Sequence, residues 1–285
     1  MVPTDDPASG DAIRELESYL AFLADHDLEE VYETEPLNRT LAENKPHFPR
    51  AVAAGSQIPV TGVAAMPQPA VPVNGLRPQS LANLDLGAAV HEAKSRVAHV
   101  RTLNDLYTEI DAFQAMPMRH EGAKSLVRFR GAEAPKLLVV GEIPDAEEDV
   151  SGVAFAGRPG ALIDKALKAA GVLDVTMLAP CVFWRPAGGR PLTSEDTSLN
   201  APFLHAFIRL AAPQAILLLG ASAVTSVLNL DQSLSKLRGR PVSYTEGGNA
   251  LPVVASYSPA FVLRQPACKA HLWRDLLQVV ELAKL

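Results

Sequence analysis

KLLVVG, residues 136–141, is an unbroken apolar run closed by a glycine. A strand with one wet face alternates apolar and polar residues. A run without that alternation belongs to a strand covered on both faces, the mark of a parallel sheet. The same pattern recurs downstream in QAILLLG (214–220), in ALPVVASY (250–257), and in VTMLAPCVFW (175–184), where Pro180 interrupts it. Helical patterns lie between and after these runs: GRPGALIDKALKAAGV, SLNAPFLHAFIRLAAP, ASAVTSVLNL and the closing KAHLWRDLLQVVELAKL. Upstream, LGAAVHEAKSRVAHV and TLNDLYTEIDAFQ read as two more helices, with Thr102 or Asn104 able to cap the second. Strand and helix in alternation predict an α/β fold. The expected form is a three-layer α/β/α domain around a central four-stranded, mainly parallel sheet. Ligands of such sheets gather at the carboxyl ends of the strands. Here those ends are Gly141–Asp145, Phe183–Arg190, Gly220–Ser222 and Tyr257–Arg264.

Working outward, this domain is expected over 86–285. Residues 41–85 carry a proline cluster (Pro46, Pro49, Pro59, Pro67, Pro69, Pro72, Pro78) among Ala, Val and Gly, and read as a linker. Residues 1–40 read as a helical appendage: Ile13, Leu16, Leu20, Phe22 and Leu23 recur at helical spacing within 11–25. Two readings of this helix stand side by side, a tethered appendage or a docking element for a protein partner. The net charge of −6 is unevenly placed, −7 over 1–135 and +1 from 136 onward. The acidity therefore sits in the first half, and a near-neutral domain still binds a phosphate backbone if its arginines converge. The only cysteines are Cys181 and Cys268. That number excludes a metal or iron–sulfur site built from three or four thiolates of one chain, so no metal and no cofactor are expected. The acidic start lacks a secretory apolar core, and no run approaches a membrane span. The expected location is the cytoplasm.

Five blocks fall on the strand ends in a fixed order: GEIPDAEEDVSGVAFAGRPGALIDKAL, FWRPAGGRPLTSED, LLLGASAV, LRGRP and SPAFVLRQP, with Trp-Arg-Asp-Leu-Leu behind them. Together they resemble the family 4 uracil-DNA glycosylases, from about residue 100 to the C-terminus. The resemblance implies base flipping, a pocket that reads the extruded base, and a water placed to attack the sugar. It implies Gly141, Glu142, Pro144 and Asp145 as the first site block, with Glu142 positioning or activating the water. Phe155 in VAFAG would stack on the flipped base, worth about 1–3 kcal/mol, or is plain core packing. Ser258 stands where the family carries a histidine that steadies the departing base.

Three departures touch that chemistry. Asp145 replaces a glycine that lets backbone approach a ligand. Pro180 replaces the asparagine whose amide reads uracil, and proline offers neither a side-chain polar atom nor an N–H. Ser258 donates one hydrogen bond but brings no imidazolium, and losing such a donor costs about 2.7–4 kcal/mol. Many relatives hold a four-cysteine iron–sulfur cluster; the matching places here are the Ala115–Met118 region, Trp184 and Asn200, none a cysteine. Arg158, Arg185, Arg190, Arg238, Arg240, Arg264 and Lys269 gather on the strand-end loops as DNA-phosphate contacts, opposed by rim charges at Glu147, Glu148 and Asp149. Three functions remain open. One is a degenerate glycosylase that keeps DNA or partner binding. Another is an active glycosylase for a different base, with Glu142 as base. The last is an unrelated small-molecule enzyme, which no Gly-rich phosphate motif supports.

Overall fold

The computed structural model describes residues 85–230, 233–245 and 250–285. The appendage predicted over 1–40 and the linker predicted over 41–85, save Asp85, lie outside the described residues. A single sheet holds six strands: β1 (Arg130–Gly131), β2 (Leu137–Val140), β3 (Thr176–Ala179), β4 (Ala215–Leu219), β5 (Val242–Tyr244) and β6 (Leu251–Ser256). Their order is β1-β3-β2-β4-β6-β5. The central four, β3, β2, β4 and β6, run parallel, as predicted. The short edge strands β1 and β5 pair antiparallel and extend the sheet beyond the expected four.

Side chains of the parallel strands alternate between two apolar layers, as a strand's two-residue period demands. Leu138, Val140, Met177, Ala179, Ile216, Leu218, Val253 and Ala255 face one way. They are covered by α1 (Leu86–Ala98), α2 (Leu103–Ala112), α6 (Ser194–Ala211) and α7 (Ala221–Leu228). Leu137, Val139, Leu178, Leu217, Leu219 and Val254 face the other way, under α5 (Gly157–Ala169) and α10 (Lys269–Leu282). The result is the three-layer α/β/α arrangement, and both layers being apolar explains why no parallel strand shows alternation in sequence. Short helices α3 (Pro117–His120), α4 (Ala146–Ser151), α8 (Leu234–Leu237) and α9 (Pro259–Arg264) sit in the connections. No helix among the described residues is long and apolar enough to cross a membrane.

Local chemistry sets the boundaries. Thr102 caps α2 by accepting from Asp105 N. Helix α6 starts four residues before the predicted 198, because Thr193 and Asp196 form a reciprocal capping box. The strand predicted over 175–184 ends at Ala179, since Pro180 has no N–H to continue a ladder. Cys181–Trp184 are buried by packing, not by strand pairing. From β2 the chain crosses to β3 on one side and then returns past β2 to β4 and β6 on the other. The crevice at this reversal, outside the carboxyl ends of the strands, is where such a sheet receives a ligand.

Candidate functional site

A small cleft of about 80 Å³ opens there, lined by Gly141, Glu142, Ile143, Asp145, Glu148, Phe155, Ala156, Pro159, Ser258, Pro259 and Ala260. Of the residues singled out from sequence, it brings together Gly141, Glu142, Asp145, Phe155 and Ser258. Pro144 and Pro180 are buried and are not part of the lining.

Glu142 follows β2 directly, and its carboxyl group lies where a side chain on Gly220, at the end of β4, would stand; an added Cβ would come within 2.4 Å of Glu142 Oε1. Two strand ends thus hold this carboxylate at the crevice. Ser258 follows β6. Its Oγ accepts from Phe261 N at 3.3 Å and caps α9. The serine therefore has a structural duty, and its proton is left to donate.

Asp145 does not simply point a charge into the cleft. Its Oδ1 accepts from Glu147 N at 2.8 Å and Glu148 N at 2.9 Å, capping α4. Glu148 returns the bond, accepting from Asp145 N at 2.7 Å, and its other oxygen accepts from Phe155 N. Burial is the main reason that the Glu148 carboxyl is pushed up to about 7, outweighing these two N–H donors. Glu148 was expected among three rim charges. Instead it lines the cleft, and Asp149, 4% exposed, accepts from Lys124 N. Only Glu147 remains an exposed carboxylate of that trio. It lies against Gly157 at the start of α5, so negative charge already occupies that helix end.

Phe155 is both core and site. It is 8% exposed, packs with the α5–α10 layer, and still lines the cleft. Its backbone is left-handed, φ 55°, a conformation that costs a non-glycine residue on the order of 1–3 kcal/mol. The ring lies over Gly141, where an added Cβ would be 2.6 Å from Phe155 Cζ.

The seven basic residues divide. Arg158, Arg240 and Arg264 are exposed. Arg185 is half-buried, and its Nε has no partner among the described residues. Arg190 pairs with Glu121 at 2.7 Å and with the fully buried Asp196 at 2.6 Å. Burial alone would raise the Asp196 carboxyl, but the Arg190 and Thr193 hydrogen bonds outweigh it and hold the group below its ordinary value. Arg238 grips Asp275 and lies over the Tyr257 ring. Lys269 is 6% exposed, and burial, with Lys165 nearby, lowers its pKa.

The places that match cluster ligands do not fit an iron–sulfur group. Met116, Met118 and Trp184 are buried in one apolar layer, and Asn200 donates to the Cys181 carbonyl at 2.9 Å. Thioethers adapt to irregular space, but nothing there supplies a thiolate.

A family model described as the uracil DNA glycosylase superfamily matches residues 129–277, which span the cleft and all the strand-end blocks. A type-4 uracil-DNA glycosylase of Thermotoga maritima is 30% identical over 167 residues, 58% of this chain and 84% of that protein. Type-4 uracil-DNA glycosylases of Pyrobaculum aerophilum and Archaeoglobus fulgidus are 28% and 26% identical. They cover 55% and 64% of this chain and 83% and 94% of their own lengths.

Proposed function

Because this chain belongs to the uracil DNA glycosylase superfamily, we propose that it engages DNA in base repair and is impaired in releasing uracil. One observation carries the second half. The lining of the cleft, among the described residues, includes no side-chain amide and no imidazole, while three of its members are carboxylic acids: Glu142, Asp145 and Glu148. Uracil leaves as an anion. A carboxylate about 4 Å from it opposes departure by on the order of 4 kcal/mol at an effective dielectric of about 20. Ser258 offers one neutral donor against that repulsion, and Pro180 offers none. Transition-state stabilisation by a preorganised donor is therefore weak in this site.

DNA contact in this reading falls to Arg158, Arg240 and Arg264, with Arg185 beside them. Arg190, Arg238 and Lys269 serve the fold. Residues 11–25 remain the proposed docking element for a protein partner.

A second reading is favoured by the two groups that persist in the cleft. In this reading Glu142 activates a water and Phe155 stacks on an extruded base, both being members of the cleft lining. A site with this charge suits a base that leaves neutral or from a cationic state, so the alternative is a glycosylase for another lesion. The test is base release, read as strand scission when the abasic product is treated with alkali, after incubation with duplexes carrying uracil, hypoxanthine, xanthine or alkylated bases. The expected result is DNA binding with steep salt dependence and no efficient uracil release. Rapid uracil release that vanishes in Glu142→Gln refutes the impairment. Release of another base that vanishes in the same variant selects the second reading.

A further inference from the structure

We propose that Glu148 is the positioning residue of the cleft: its carboxylate clamps both ends of the loop from Asp145 to Phe155 and so fixes the aromatic ring that walls the site. The inference rests on the proposed base pocket only for what the ring would stack on.

The geometry is specific. The two oxygens of one carboxylate take two backbone N–H groups ten residues apart in sequence, Asp145 N and Phe155 N. Behind Phe155, Arg130 donates to the Ala154 carbonyl at 2.9 Å and to the Phe155 carbonyl at 3.2 Å, and pairs with Asp164 at 2.8 Å. Gly160 leaves room for that carbonyl, which an added Cβ would approach to 1.7 Å. With N–H, carbonyl and ring all engaged, Phe155 stays in a left-handed conformation that an isolated phenylalanine avoids. Release the N–H and the backbone is free to return to its ordinary basin, which swings the ring off Gly141.

Glu148 also has the character of a group kept for position. Burial holds its carboxyl near neutrality, so the charged form that accepts both N–H groups is disfavoured by the fold around it. The charged and titratable groups facing it are Asp145 on its own helix, Arg130 on β1, Cys181 after β3, and Glu142 across the cleft. Asp145 adds to the rise that burial causes, and Arg130 opposes it without cancelling it.

The test is amide hydrogen exchange, read by NMR on the full chain without DNA and expressed as protection against intrinsic rates. In the unsubstituted protein, the amides of Asp145 and Phe155 should both be protected at pH 8. Protection at one of them should fall about tenfold between pH 8 and pH 6, as one oxygen takes a proton. Glu148→Gln keeps the shape but has one carbonyl acceptor. It should exchange about tenfold faster at one of the two amides, with no step in pH, while Val139 and Leu217 keep their protection. Equal protection and the same pH step in both proteins overturn the clamp. If Glu148→Gln does not fold, absence of the step in the unsubstituted protein overturns it alone. A second arm uses a duplex containing 2-aminopurine. Brightening of the base as it leaves the stack in the unsubstituted protein, lost in Glu148→Gln and in Phe155→Ala, supports the base pocket. A clamp present in free protein with no fluorescence difference on DNA supports the clamp and sinks the base-pocket reading.

Discussion

Ser258→Ala separates structure from chemistry at a single hydroxyl. The oxygen accepts from Phe261 N at 3.3 Å and the residue is 5% exposed. Loss of an N-cap side chain costs about 0.5–2 kcal/mol. The bond is longer than the usual 2.9–3.0 Å, and α9 has only six residues, so the low end applies, about 0.5–1 kcal/mol. For a domain of this size that is a fall in Tm of about 1–4 °C. Urea unfolding should show a lower midpoint with an unchanged slope, which reports stability and not compactness. DNA affinity and any base release should stay within about threefold, because the hydroxyl in this reading chiefly holds a helix and offers a leaving group only a weak neutral donor. The opposite pattern refutes the reasoning. An unmoved midpoint with a loss of base release of about 100-fold makes Ser258 a catalytic donor. The same logic predicts that Ser258→His alone lowers stability while restoring little, since it trades the cap for an imidazole and leaves Pro180 in place.

Arg190→Ala should lose about 3 kcal/mol in urea unfolding, because it strands Asp196, which is fully buried. Its DNA affinity should keep the same salt slope. Arg158→Ala should do the reverse, with stability unchanged and the slope reduced by about one; a stable Arg190→Ala with a reduced slope would reverse these roles. Stability should also fall as pH rises from about 5 to 8. Glu148 binds its proton more tightly in the folded state than in the unfolded chain, its carboxyl moving from 4.5 up to about 7. Its contribution is therefore full below 4.5 and lost as pH passes 7, by about 3 kcal/mol. Glu148→Gln should flatten that decline in urea midpoints measured across the range. Asp196 works the other way, its contribution being present above its ordinary carboxylate value and lost in acid.

The parallel core was legible because burial on both faces erases alternation, and the four apolar runs carry that erasure openly. The edge strands were not. Arg130–Gly131 and Val242–Tyr244 have two and three residues, no apolar run, and a place in the sheet set by neighbours. The run through Phe183 and Trp184 misled for the converse reason: burial by helices and burial in a strand look alike in a short segment. In the cleft, Gly141, Glu142, Asp145, Phe155 and Ser258 were found through their blocks. Glu148 was read as one of three rim charges, although Asp-x-x-Glu over 145–148 is a capping-box signal pointing it inward. The arginines show a harder limit. Arg190 sits on a strand-end loop as expected, but the carboxylate it meets, Glu121, lies 69 residues away in sequence. No local pattern announces such a partner.

Gly141 leaves a record in the gene. Its backbone is not left-handed, so an ordinary side chain would be acceptable there but for the Phe155 ring. The two positions should therefore drift together over evolutionary time. A lineage that traded the aromatic for something smaller would be released to accept alanine at 141, and one that kept the aromatic would not.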